Sequence, residues 1–126
     1  MYRKLIIVSI ATILLAACGS GSAPEKAVEN YIQAIIEKDA TQLSTITCKD
    51  WEFDALMMLD AFQAVSTELE GLSCQETGTT PDGLAVVSCT GKIIASYDGE
   101  IQEFDLSIQD YLLENANGEW LVCGMQ

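Results

Sequence analysis

The side chains with most chemistry to offer in this 126-residue chain are its five cysteines, and there is no histidine to work with them. Cys18 closes an apolar leader and stands apart. Cys48, Cys74, Cys89 and Cys123 lie in the body of the chain. Four cysteines in a body of this size read as two disulfides, with three formal pairings. Zinc fits poorly, because there is no Cys-x-x-Cys, no histidine, and the spacings are wide. The other candidate is a carboxylate beside a phenol, Asp110-Tyr111, following a stretch whose apolar residues alternate. If the alternation continues, Asp110 follows Phe104, Leu106 and Ile108 onto a buried face. Loss of water there raises a carboxyl pKa and makes a general base. If the pattern shifts at Gln109, Asp110 turns to solvent and Tyr111 packs; this second arrangement, common at bulges and strand ends, is the expectation. Asp50, Asp54 and Asp60 lack the spacing of a calcium loop. There is no Ser-His-Asp set and no phosphate-cradling glycine loop. No catalytic residue, metal ligand or cofactor is assigned.

Cys18 has a different setting. Arg3 and Lys4 precede an apolar run at 5–15, interrupted by Ser9 and Thr12, and the small residues Ala16 and Ala17 follow. That is the layout of an export signal. The run is shorter than the roughly 20 residues of a spanning helix. Leu15-Ala16-Ala17-Cys18 resembles the lipobox of bacterial lipoproteins. The resemblance implies cleavage after Ala17, a diacylglyceryl group on the Cys18 thiol, and acylation of the freed amine; two such signals make a stable anchor. Gly19 is not the Asp of an inner-membrane retention signal. The expected address is the cell membrane or outer membrane, lipid-anchored and facing out of the cytoplasm, where thiols oxidise.

Removing residues 1–17 leaves 109 of the 126, enough for one domain. Four lysines then face 19 carboxylates, a formal charge of −15. Such a body repels nucleic acid and anionic lipid head groups, so the membrane lipid is held through Cys18 and not by charge. The acids are spread along the chain and read as a solvated surface. Residues 18–23 form a tether that reaches under roughly 20 Å, and 24–126 form the domain.

The elements that position these groups follow from periodicity. Ser22-Ala-Pro-Glu25 reads as a capping box opening a helix that runs to about Lys38. Val28, Tyr31, Ile32, Ile35 and Ile36 make its inner stripe. Asp39 opens a short second helix with Leu43 and Ile46 inward. Asp50 caps a third, expected from 51 to 68. Trp51, Leu56, Leu59, Phe62 and Val65 share one face of it, with Phe53, Met57 and Met58 at the edges. From Gly71 the period becomes two, giving strands at 72–76, 84–97, 101–113 and 120–123, with turns at 78–83, 98–99 and 115–118. With Asp98-Gly99 as a two-residue turn, Phe104 faces Ile93 and Ile108 faces Cys89. Cys74 and Cys89 lie symmetrically about Pro81-Asp82, a geometry that suits a bridge. Cys48 and Cys123 are then left to tie the helices to the last strand.

Ala27, Tyr31, Ile32, Ala34 and Ile35, then Lys38-Asp39-Ala40 and the closing Glu119-Trp120-x-Val122-Cys123, resemble the nuclear transport factor 2-like (cystatin-like α+β cone) superfamily, and more closely its small bacterial lipoprotein members. The resemblance implies an α+β fold with N-terminal helices on a curved four-stranded antiparallel meander and an apolar cone. Members include binding and assembly modules as well as isomerases, dehydratases and hydrolases. The expected function is non-enzymatic: a membrane-anchored domain holding a small apolar ligand or pairing as a homodimer through the sheet. The alternative is an enzyme acting on a small molecule, with Asp110 or Tyr111 handling protons inside the cone.

Overall fold

The computed structural model describes residues 23–126. The leader 1–17, Cys18 and the tether up to Ser22 lie outside them. The elements are α1 (Pro24–Glu37), α2 (Ala40–Thr45), α3 (Lys49–Ala61), β1 (Ser66–Thr79), β2 (Ala85–Tyr97), β3 (Glu100–Asp105), a 3-10 turn (Leu106–Ile108), β4 (Asp110–Ala116) and β5 (Glu119–Met125). The fold is α+β, with helices preceding an antiparallel sheet of five strands rather than the four expected.

Helix α1 buries the stripe its spacing dictates: Ala27, Val28, Tyr31, Ile32, Ala34 and Ile35. Pro24 takes the first position, where its missing N–H costs nothing. The N-cap is Ala23, with no side-chain cap, and not Ser22 of the expected capping box. The helix stops at Lys38, which turns left-handed (φ 60°) so that the Asp39 N–H closes on the Ala34 carbonyl at 2.9 Å. The Lys38 ammonium then donates to the Val65 carbonyl at 2.7 Å, and Thr67 Oγ1 donates to the Ile36 carbonyl at 2.7 Å. Two contacts from β1 and its approach thus fasten the end of α1. Asp39 caps α2 by accepting the Gln42 N–H at 3.0 Å.

Helix α3 departs from expectation at both ends. Cys48, not Asp50, is its N-cap, and it ends at Ala61 instead of Glu68. Ser66-Thr-Glu-Leu-Glu70 is strand: Thr67 and Leu69 are half-buried while Ser66, Glu68 and Glu70 face water, a period of two. Strand β1 is therefore longer than the expected 72–76.

Strand β2 is the spine, with β1 along one edge and two strands in succession along the other. Its second half pairs with β3, Phe104 opposite Ile93 and Tyr97 opposite Glu100, in the expected register. Its first half pairs with β4, Tyr111 opposite Val87. Between them the partner numbers shift by one, because Asp105 bends the chain: its Oδ1 accepts the Ser107 N–H at 2.8 Å and the Ser107 hydroxyl at 2.6 Å. This Asx turn breaks the expected 101–113 strand. A one-residue slip exchanges the faces of everything beyond it. Ile108 accordingly does not face Cys89; it stands 77 % exposed.

The core lies between α1, α3 and the inner face of β2, β4 and β5, with Tyr31, Ile32, Leu43, Leu59, Val87, Leu113 and Val122 nearly or fully buried. Helical cover does not extend over β3, whose residues are all exposed. The one-sided burial expected of Phe104, Leu106 and Ile108 holds for Leu106 alone. The linker between α2 and α3 runs beside β5: Val122 N–H reaches the Ile46 carbonyl and Cys48 N–H the Val122 carbonyl, both at 2.9 Å. That bridge sets Cys48 beside Cys123.

Candidate functional site: an apolar cleft under the helices

Where the sheet emerges from under the helices it leaves a cleft of about 260 Å³. Tyr31 and Ile35 of α1, with Met58 and Phe62 of the α3 end, form one wall. Ile93, Phe104, Tyr111 and Met125 form the sheet wall. The 3-10 turn closes one side with Leu106 and Ile108, and Asp105 and Gln109 bring the side-chain polarity at its rim. Phe62 and Phe104 meet edge to face, centroids 5.5 Å apart. Deeper in, Tyr31 and Tyr111 do the same at 5.9 Å.

The two phenols set the electrostatics. Tyr31 Oη accepts the Trp51 indole N–H at 3.1 Å and donates to Met58 Sδ at 3.7 Å. Burial pushes its pKa up to about 12; the Trp51 bond opposes the shift and the Asp54 charge adds to it. Burial, and then the neighbouring Tyr31, pushes Tyr111 higher still. Both are neutral hydroxyls at ordinary pH and unsuited to act as bases; the Tyr31 proton is already directed at Met58. Among the described residues no buried side-chain polar atom lacks a partner. Tyr111 lines the cleft with its ring buried, and its hydroxyl has no side-chain hydrogen-bond partner among the described residues.

The structure separates the Asp110-Tyr111 pair. Tyr111 is buried and lines the cleft; Asp110 is half-buried and does not line it. The Asp110 carboxylate accepts the Ser88 hydroxyl at 2.6 Å, and Ser88 meets Thr77 at 3.4 Å, a polar row on the outer face of the sheet. A cleft reaction using Asp110 as base has no geometric support.

The sulfurs are joined as Cys74–Cys89 and Cys48–Cys123, with Cα atoms 4.1 and 4.9 Å apart. The first spans directly paired residues of β1 and β2. The second ties the start of α3 to β5. Glu114 Oε2 lies 3.7 Å from Cys48 Sγ and 3.9 Å from Cys123 Sγ, the one grouping among the described residues with metal-ligand proximity. With both sulfurs joined, it offers a single exposed carboxylate and no thiolate. Cys18 lies outside the described residues, and no helix among them is long and apolar enough to cross a membrane.

Met58 stood at an edge of the expected α3 face, whereas the places of Met125, Gln109 and Asp105 were not foreseen. The available signal was Asp105-x-Ser107, an Asx-turn pattern inside an apparently continuous strand.

Neither a family model nor a curated relative matches the chain. Among solved structures it is similar to a SEC-C motif containing protein from Rhodopseudomonas palustris, determined in solution, with a TM-score of 0.55 and 15% identity over 82% of this chain and 77% of that one. At that identity the likeness is one of fold. It overturns the family resemblance read from the sequence, a lipoprotein domain of the nuclear transport factor 2-like cone type, at the level of fold; the leader and Cys18 lie outside the described residues. The neighbour carries a different motif, and the described residues form five strands with an open cleft where a four-stranded cone was expected.

Proposed function

We propose that this chain is a membrane-anchored, extracytoplasmic binding domain that holds a small apolar ligand without transforming it. The observation that carries the reading is the cleft itself: mostly apolar walls, two neutral phenols, no histidine or thiolate, and one carboxylate, Asp105, whose Oδ1 is taken up by the Ser107 N–H and hydroxyl. Pockets with few polar groups on apolar walls are built for retention and orientation. The anchor rests on the pattern at Arg3, Lys4 and Leu15–Cys18, and two disulfides within the described residues are compatible with an oxidising compartment.

The test is binding of the uncharged dye N-phenyl-1-naphthylamine, followed by its fluorescence. Phe104→Ser and Ile108→Ser remove cleft walls at exposed positions and should each weaken the dye about fivefold or more while the urea midpoint barely moves. Asp110→Asn, on the far face, should leave dye affinity within twofold. Unchanged affinity in both wall variants refutes the cleft as the binding site. The anchor is tested separately by intact mass: native material should begin at Cys18 carrying acyl chains, and Cys18→Ala should move the protein out of the detergent phase.

A further inference from the structure

The cleft's polar groups bear on which ligand charge it would take, and this inference rests on the binding role proposed above. Asp105 stands at the rim with Oδ1 occupied by the Ser107 N–H and hydroxyl, while Oδ2 has no hydrogen-bond partner among the described residues. No lysine lines the cleft. Lys38 is committed to the Val65 carbonyl, Lys92 to Glu103 and Glu70, and Lys26 to Glu29. Lys49 opens α3 at its other end. Lys92 stands directly opposite Asp105 across the β2–β3 pair, but its ammonium is shared by Glu103 and Glu70 and it does not line the cleft. An anionic head group would therefore meet a carboxylate, no uncommitted ammonium, and the field of a body carrying −15. A cationic head would meet a half-free carboxylate beside the faces and edges of Phe62 and Phe104, which sit 5.5 Å apart. Deeper in, Tyr111 can donate to an acceptor on the ligand body.

We infer that the ligand class is a small cationic amphiphile: a protonated amine on an apolar body, with the body between the helices and the sheet and the ammonium at Asp105. The cleft is smaller than the roughly 300 Å³ at the lower end of drug-sized sites, so the body is compact. A fatty-acid-like carboxylate of the same length is the ligand this arrangement rejects.

The probes are three of matched shape: 4-phenylbutylamine, 4-phenylbutanol and 4-phenylbutyrate. Each is titrated into the whole chain in non-ionic detergent at pH 7, using calorimetry and the fluorescence of Trp51, whose indole is bonded to Tyr31 at the cleft wall. The amine should bind about tenfold tighter than the butyrate, and its advantage should shrink several-fold in 0.5 M salt. Asp105→Asn keeps an oxygen to accept from Ser107 and so preserves the turn. It should bring the amine down to the level of the alcohol in the same variant, an amine-to-alcohol affinity ratio of about one. Butyrate binding as tightly as the amine, or an amine preference that survives Asp105→Asn, overturns the proposed class while the cleft reading stands on the alcohol. Failure of all three probes to bind overturns the class and the cleft reading together.

Discussion

Tyr31 concentrates the residue-scale physics of this protein. Its ring is core, its hydroxyl links Trp51 to Met58, and its pKa stands near 12 because the charged form would lose water on burial. A phenol whose folded pKa lies above the unfolded value of 10 contributes its full stability below pH 10 and loses it as pH climbs toward 12. The stability gap between the natural protein and Tyr31→Phe should therefore close by about 2 kcal/mol between pH 9 and 12, read from urea midpoints. A constant gap would mean the hydroxyl is solvated. The same scale shows where sequence reading stops. Asp110 and Tyr111 were correctly seen as alternatives for one inward place, and the expectation that Tyr111 takes it agrees with the structure. The Asp105 turn responsible lies five residues upstream and works through a side-chain acceptor that apolar periodicity does not register.

Among the elements, β1 and β2 make a close backbone approach at two glycines. Gly71 and Gly91 cross there with positive φ, and a Cβ on Gly91 would lie 2.6 Å from the Gly71 carbonyl oxygen. Gly91→Ala should thus cost about 3 kcal/mol, from left-handed strain plus displaced backbone, seen as a lowered urea midpoint. A cost under about 1 kcal/mol would show that the crossing relaxes. Helix α1 was legible because its apolar spacing runs uninterrupted from Ala27 to Ile35. The end of α3 was not. Ser66–Glu70 contains good helix formers, yet the pairing of Thr67 with Ala95 and the Thr67 bond to α1 hold it as strand. Tertiary hydrogen bonds outweigh propensities of a few tenths of a kcal/mol per residue.

At the scale of the whole molecule, two bridges reinforce a thin structure: one helical layer over one sheet, with β3 uncovered. Cys48–Cys123 closes 75 residues and Cys74–Cys89 closes 15. In the chain-entropy model the long bridge contributes about 4.5 kcal/mol and the short one about 3. The paired change Cys48→Ala with Cys123→Ala should lower thermal stability more than Cys74→Ala with Cys89→Ala; the reverse order by calorimetry would place the stabilisation in the native state rather than in the restrained unfolded chain. The sequence by itself determined the α+β order, the acidic body, the α1 face, the β2–β3 register and the directly opposed Cys74 and Cys89. All of these follow from local periodicity or from counting across a tight turn. Only the tertiary structure decided that the third strand breaks, that Asp110 and the cleft lie on opposite faces, and that a cleft exists at all. Those outcomes depend on a one-residue slip beside β2 and on where α3 ends, and both are fixed by contacts between segments far apart in the chain.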